Sequence, residues 1–182
     1  TFSPQRYEIW TMQSAYHTLL PVFETADGAV VMQAPGEASA ARGVVHRESD
    51  DAAELTLDLA AAYPAEAKLQ SWGRTVTLKR GDAVIIEDTF ALIEPAEAIT
   101  VSLLTPCEVE VGEKGVSFKA STFGPQDAQR ETGAARLAFE PGAFDVAVER
   151  VPIDDARLGG VWGDHLNRVV FRAAAPPRQG TW

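Results

Sequence analysis

The 182-residue sequence contains one cysteine, Cys107, so no disulfide can form within the chain and the fold must rest on its packed core. No apolar stretch approaches the roughly 18 residues that a membrane-spanning helix needs. Positive charge is in deficit: 16 Lys and Arg against 26 Asp and Glu give a formal net charge of −10. A field of that sign repels nucleic acid and anionic membranes, so neither is an expected partner. The opening, TFSPQRYEIW, has no basic-apolar signal segment and is strand-like within ten residues, as though it lay inside a longer protein. The histidines and cysteine make no CxxC, HxH or HExxH spacing, and there is neither a GxSxG elbow nor a glycine-rich phosphate loop. No window carries a sustained apolar stripe at the 3.6-residue period of an amphipathic helix.

What is present is an ordinary globular composition, 46% hydrophobic, cut into short segments by turn chemistry. Asp27-Gly28, Pro35-Gly36, Ser49-Asp50-Asp51, Gly81-Asp82, Glu113-Lys114-Gly115 and Glu140-Pro141-Gly142 mark the breaks. Between them, alternation predicts strands near residues 6–12, 16–23, 29–33, 38–47, 53–59, 67–80, 83–92, 98–104, 108–111, 115–120, 135–140, 144–151 and 165–173. Many short strands at this spacing predict an all-β fold, a multi-stranded antiparallel β-sandwich of stacked sheets. Residues 122–132 read as a long polar loop, and Pro64 limits the Ala-rich stretch 58–67 to a turn of helix. Residues 1–175 read as a single domain and residues 176–182 as a flexible tail.

The strongest local signal is a hairpin over residues 63–92. Trp72, Val76 and Leu78 alternate with polar residues before Gly81-Asp82, and Val84, Ile86, Phe90 and Leu92 resume the pattern after it. Glu87 and Asp88 interrupt the second strand and must point to opposite faces, so one acid turns toward the sheet interior. An inward acid needs a partner, and Arg74 on the facing strand is at a plausible cross-strand position. The pair reads as structural.

The candidates for chemistry are few. His17, in Ser14-Ala15-Tyr16-His17-Thr18, has the residue type for a general base, a carboxylate partner or a metal ligand. A half-exposed histidine bonded to its neighbours is the plainer alternative. His46 reads as an outward strand residue and His165 as part of a turn entering the last strand. Cys107 sits beside Glu108, whose charge disfavours a reactive thiolate. Trp10, Trp72 and Trp162, with Tyr16, Tyr63 and Phe90, have the chemistry of a sugar-stacking platform, although aromatics in sheets are more often core.

Taken in order, YEIWTMQSAYHTLLP, the stretch Gly28 to Gln33, LTLDLAAAYP, SWGRTVTLKRGDAVIIEDTFAL, ITVSLLTPCEV and VPIDDARLGGVWGDHLNRVVF resemble the C-terminal β-domain of heparinase II/III-like polysaccharide lyases. The resemblance spans nearly the whole chain. It implies β-elimination on a uronic-acid polysaccharide, an acidic substrate handled together with an N-terminal α/α-toroid of the same chain that carries much of the site. It also implies that His17 is the catalytic histidine of the β-domain, with Tyr16 and Trp72 as substrate-binding aromatics. Some members hold a structural zinc; here His17 and Asp58 match two ligand positions, while the third falls in Val101-Ser102-Leu103-Leu104, where there is no histidine. Thr18 stands where the family has an asparagine. The isolated β-domain is expected to be inactive and to expose an apolar face for the toroid. Cytoplasm and periplasm are both compatible with the sequence. A non-catalytic carbohydrate-binding or structural β-sandwich is the alternative reading.

Overall fold

The computed structural model describes residues 4–125 and 127–182. The chain begins with three short 3-10 turns, Pro4–Glu8, Trp10–Met12 and Ser14–Tyr16. It continues through β1 (Val22–Thr25), β2 (Val30–Val31), β3 (Arg42–Glu48), β4 (Ala52–Asp58), β5 (Leu69–Lys79), β6 (Ala83–Leu92) and β7 (Ala96–Thr105). Then come β8 (Val109–Gly112), β9 (Gly115–Phe118), β10 (Thr122–Phe123), β11 (Arg130–Glu131), β12 (Ala135–Ala138) and β13 (Asp145–Pro152). A helix α1 (Ala156–Trp162), β14 (His165–Ala174) and β15 (Gln179–Thr181) complete it. The fold is all-β and sandwich-like, built of several antiparallel sheets. No helix among the described residues is long and apolar enough to cross a membrane.

The chain divides into two compact units where the sequence shows no internal boundary. One combines the residues up to Pro21 with Thr100–Ala173; the other combines Val22–Ile99 with Ala174–Trp182. We call them the outer-segment unit and the hairpin unit, for the parts of the chain that build them.

The hairpin unit is dominated by a five-stranded sheet in the order β15-β6-β5-β4-β3. Its centre is the hairpin expected from sequence, with Trp72 opposite Phe90, Arg74 opposite Asp88 and Val76 opposite Ile86. The loop is three residues long, Arg80 to Asp82, rather than two. Gly81 takes φ 74°, and the Asp82 amide donates to the Lys79 carbonyl at 3.1 Å. Glycine adopts that left-handed conformation without a side-chain penalty. The edge strand β3 is exposed along its whole length and carries Arg42, His46, Arg47 and Glu48, charges that discourage pairing with another chain.

One face of this sheet changes character along its length. At one end Trp72 and Phe90 are buried and stacked, their ring centroids 5.2 Å apart. Phe23 meets Trp72 edge-on at 5.6 Å and Tyr63 at 5.3 Å. Next along the face, Arg74 donates two bonds of 2.6 Å to Asp88, with 7% and 6% of these residues exposed. Asp88 is thus the inward acid, and Glu87 faces outward. Beyond the ion pair, Leu55, Val76 and Ile86 lie side by side, followed by Ala53, Leu78 and Val84. Leu55, Leu78, Val84 and Ile86 are exposed there.

The C-terminal residues are strand, not a flexible tail. Gln179–Thr181 pairs with Ala91 to Thr89 of β6. The Trp182 amide and carbonyl then exchange bonds with Asp88 at 2.9 and 3.0 Å. The Trp182 ring lies 4.7 Å from Phe90 and 5.8 Å from Trp72. Burying an indole offsets the entropy of ordering the end. Gly180 makes the approach possible, since a Cβ there would come within 2.9 Å of the Phe90 ring.

The outer-segment unit is assembled from shorter pieces. It contains the three-stranded sheet β12-β9-β8, the antiparallel β13–β14 pair and the small β10–β11 pair. Its core gathers Val101, Val116, Val169 and Phe171, with Phe139 and Phe144 packed edge-on to Phe171. Residues 122–132 close through β10 and β11 instead of forming one open loop; residue 126 lies outside the described residues.

Residues 6–12 and 16–21 do not form the strands that alternation predicts; of the second stretch Val22 and Phe23 are strand, at the start of β1. The Met12, Gln13, Tyr16 and His17 amides each bond back three residues, at 2.9 to 3.0 Å, so this backbone satisfies itself locally. The three-residue spacing of Tyr7, Trp10, Gln13 and Tyr16 fits that geometry better than a two-residue strand period. Helix α1 was also illegible as a periodic stripe. It starts at Asp155, whose carboxylate accepts from the Arg157 and Leu158 amides at 2.8 and 3.0 Å. Those bonds, Leu158 foremost, hold the Asp155 carboxyl below its ordinary range.

Candidate functional site

In the outer-segment unit, His17 ends a segment held at a single carbonyl. Ala15 O accepts from Ser102 Oγ at 2.8 Å and from Arg168 Nη2 at 3.0 Å. The Arg168 guanidinium also lies 4.8 Å from the centre of the Tyr16 ring, and its Nη1 donates to Glu149 at 2.9 Å. Two residues past His17, the Leu19 amide bonds the Ser102 carbonyl at 2.7 Å, with Leu19 at φ 57°. Clamped on both sides, the segment presents His17 exposed to solvent.

Among the described residues, the hydrogen-bond partner of the imidazole is the Thr11 carbonyl, 3.3 Å from Nε2. A carbonyl only accepts, so the tautomer that makes this bond carries its proton on Nε2 and leaves Nδ1 as the accepting nitrogen. An exposed imidazole on a segment whose backbone is held at Ala15, with Nδ1 unpartnered among the described residues, has the chemistry of a general base. Tyr16 is half-buried, with Arg168 on its ring and Trp10 5.4 Å away.

The other residues singled out from sequence are elsewhere. Trp72 is 0% exposed in the hairpin unit's core, packed against Phe23, Phe90 and Trp182. An indole covered on every side has no face to offer a sugar, so Trp72 is a core residue and not a binding one. Asp58 also belongs to the hairpin unit, whereas His17 belongs to the other. Asp58 Oδ1 accepts from the Ala60 amide at 2.9 Å and the Trp72 amide at 3.3 Å, bonds that fix the end of β4. An oxygen so engaged is a poor metal ligand, and no group of three His, Cys, Asp or Glu among the described residues is arranged to hold a metal ion. The donor set does not fit the zinc that the resemblance implies.

His46 is exposed on β3 opposite Leu55. His165 starts β14 with Nδ1 2.6 Å from Asp164. That bond, ahead of the nearby Arg150 charge, keeps the Asp164 carboxyl below its usual range. Cys107 is buried, its Sγ 3.4 Å from the Thr132 hydroxyl.

A feature that no spacing announces lies beside the His17 segment. Trp10, Thr11, Leu104, Leu158, Trp162 and Leu166 line an apolar pocket of about 220 Å³ in the outer-segment unit. Trp162 is stacked on Phe123, the rings 5.0 Å apart and within 5° of parallel. Thr11 serves both features, lining the pocket and accepting from His17. Arg168 and Ser102 were equally hidden, standing 153 and 87 residues from the carbonyl they hold.

Compared with known proteins, the chain matches no family model and no curated protein.

Proposed function

We propose that this chain is the β-sheet part of a polysaccharide lyase, acting on uronic-acid polysaccharide by β-elimination and incomplete without an N-terminal helical toroid. The observation that carries this reading is the exposed imidazole of His17 on a segment fixed through Ala15. Elimination next to a uronate carboxylate needs a base to take the C5 proton once the carboxylate charge is neutralised. The C5–H electron pair becomes the C4–C5 double bond as the C4–O bond breaks, and the departing sugar oxygen takes a proton from an acid or water. Nδ1 of His17 has the chemistry for that transfer, and Arg168 and Ser102 act as positioning residues by holding its backbone. The exposed apolar row of Leu55, Leu78, Val84 and Ile86 supports a chain with a further surface to cover. No step is assigned to a metal.

The test is the ultraviolet absorbance of unsaturated uronate, followed while the toroid-bearing protein is incubated with a panel of uronic-acid polymers. Product from one polymer names the substrate; none from any polymer removes the lyase reading. A second reading, a carbohydrate-binding module without catalysis, is favoured by the Trp10–Trp162 pocket. It predicts sugar affinity with no unsaturated product.

A further inference from the structure

We propose that the pocket framed by Trp10 and Trp162 is a subsite that seats one sugar ring of the uronate polymer, a step that rests on the carbohydrate reading above. The size argues for a single ring. A cavity of roughly 150 Å³ already holds benzene, whereas drug-sized ligands occupy about 300–1,000 Å³. The 220 Å³ here suits one six-membered ring with its substituents outside.

The lining determines which surface that ring presents. Trp10, Trp162, Leu104, Leu158 and Leu166 make the walls carbon-rich, with Thr11 as the polar residue among them. A pyranose meets this requirement, because its flat face exposes C–H bonds while its hydroxyls project around the rim. Indole is the largest side-chain surface for such a contact, and its rigidity limits the entropy lost on binding. Trp162 is already braced by Phe123 on one face, and Trp10 by the tilted Tyr16 ring, so both indoles are held in place before a ligand arrives. Of the aromatics that the sequence offered as a sugar platform, the structure divides the set. Trp72, Tyr63 and Phe90 build a core, while Trp10 and Trp162 line the pocket and Tyr16 lies against Trp10. Thr11 links it to the imidazole of His17, which places the subsite next to the proposed base.

The experiment is calorimetric titration of the chain with tetrasaccharides cut from alginate and from heparan sulfate. It is repeated on Trp162→Ala, Trp162→Phe and Trp10→Ala, each checked for its near-ultraviolet circular dichroism. At least one tetrasaccharide binds the unaltered chain. Either alanine variant weakens it by about tenfold or more, and Trp162→Phe retains most of the affinity. Binding of phenol with no binding of either tetrasaccharide overturns the proposal in favour of an apolar ligand. Full activity and an unchanged KM for Trp162→Ala in a toroid-bearing lyase would overturn it while leaving the lyase reading intact. Trp162-dependent tetrasaccharide binding without unsaturated product would do the reverse.

Discussion

The hairpin unit and the outer-segment unit solve the same problem, covering an apolar core with antiparallel strands, by different means. In the hairpin unit, β4, β5 and β6 are long neighbours in sequence and in space, and the core aromatics Trp72 and Phe90 face each other across one hairpin. In the outer-segment unit the chain returns from far away: Ala15 is held by Ser102 and Arg168, and Trp10 and Trp162 line one pocket. On the proposed reading, the difference separates stability from chemistry. The buried Arg74–Asp88 ion pair lies in the first unit, and His17 with the Trp10–Trp162 pocket lies in the second.

The comparison breaks most easily at the ion pair. Asp88→Ala leaves the Arg74 guanidinium buried without its carboxylate and is expected to cost about 3–5 kcal/mol, while replacing both partners by apolar residues of similar size costs far less. Urea denaturation of Asp88→Ala, Arg74→Met and the double variant measures this; equal losses in all three would contradict the assignment. Gly180→Ala should have the next largest effect, roughly 1–3 kcal/mol, because the new methyl meets the Phe90 ring at 2.9 Å. Its signature is faster amide exchange in β15 and at Asp88. Protection equal to that of the unaltered chain would show the close approach to be tolerated.

A smaller effect sharpens the contrast through pH. Burial pushes the Tyr63 hydroxyl above its ordinary pKa, with Asp88 adding to that rise and Arg74 opposing it. The folded state therefore holds this proton more tightly than the unfolded chain. The resulting stability is complete below about pH 10 and declines as pH rises past that value toward the folded-state pKa. Tyr63→Phe removes this ionisation, so its melting temperature should fall less steeply above pH 10 than that of the unaltered chain; parallel slopes would count against it. The smallest stability effect belongs to His17→Ala. Its side chain is exposed and makes one long hydrogen bond, so the change should stay within about 0.5 kcal/mol.

The same contrast explains what could be read from sequence. The hairpin was legible because its signal is local: alternation on both sides of Gly81, and Arg74 on one strand facing the Glu87-Asp88 pair on the other, of which the structure selects Asp88. The N-terminal segment was misread because aromatic and apolar residues at mixed spacing satisfy both a strand pattern and a run of 3-10 turns. Only the inter-residue bonds, from Met12 back to Ile9 and from His17 back to Ser14, decide between them. Trp182 was read as a loose end because two prolines and a glycine precede it, and its place on Phe90 depends on strand pairing across about 90 residues. His17 stood out through the resemblance, since its residue type alone favoured a plain exposed histidine. The pocket beside it did not, since Trp10 and Trp162 come together from opposite ends of the chain.

The most direct test of the division between a stabilising unit and a chemical one is His17→Ala in the toroid-bearing protein. Melting temperature and unsaturated-uronate formation are measured on the same preparation. We expect the melting temperature to stay within a degree or two, since an exposed side chain contributes little, while turnover drops by about 10²-fold or more, as the loss of a general base requires. Normal turnover in the folded variant would contradict the account.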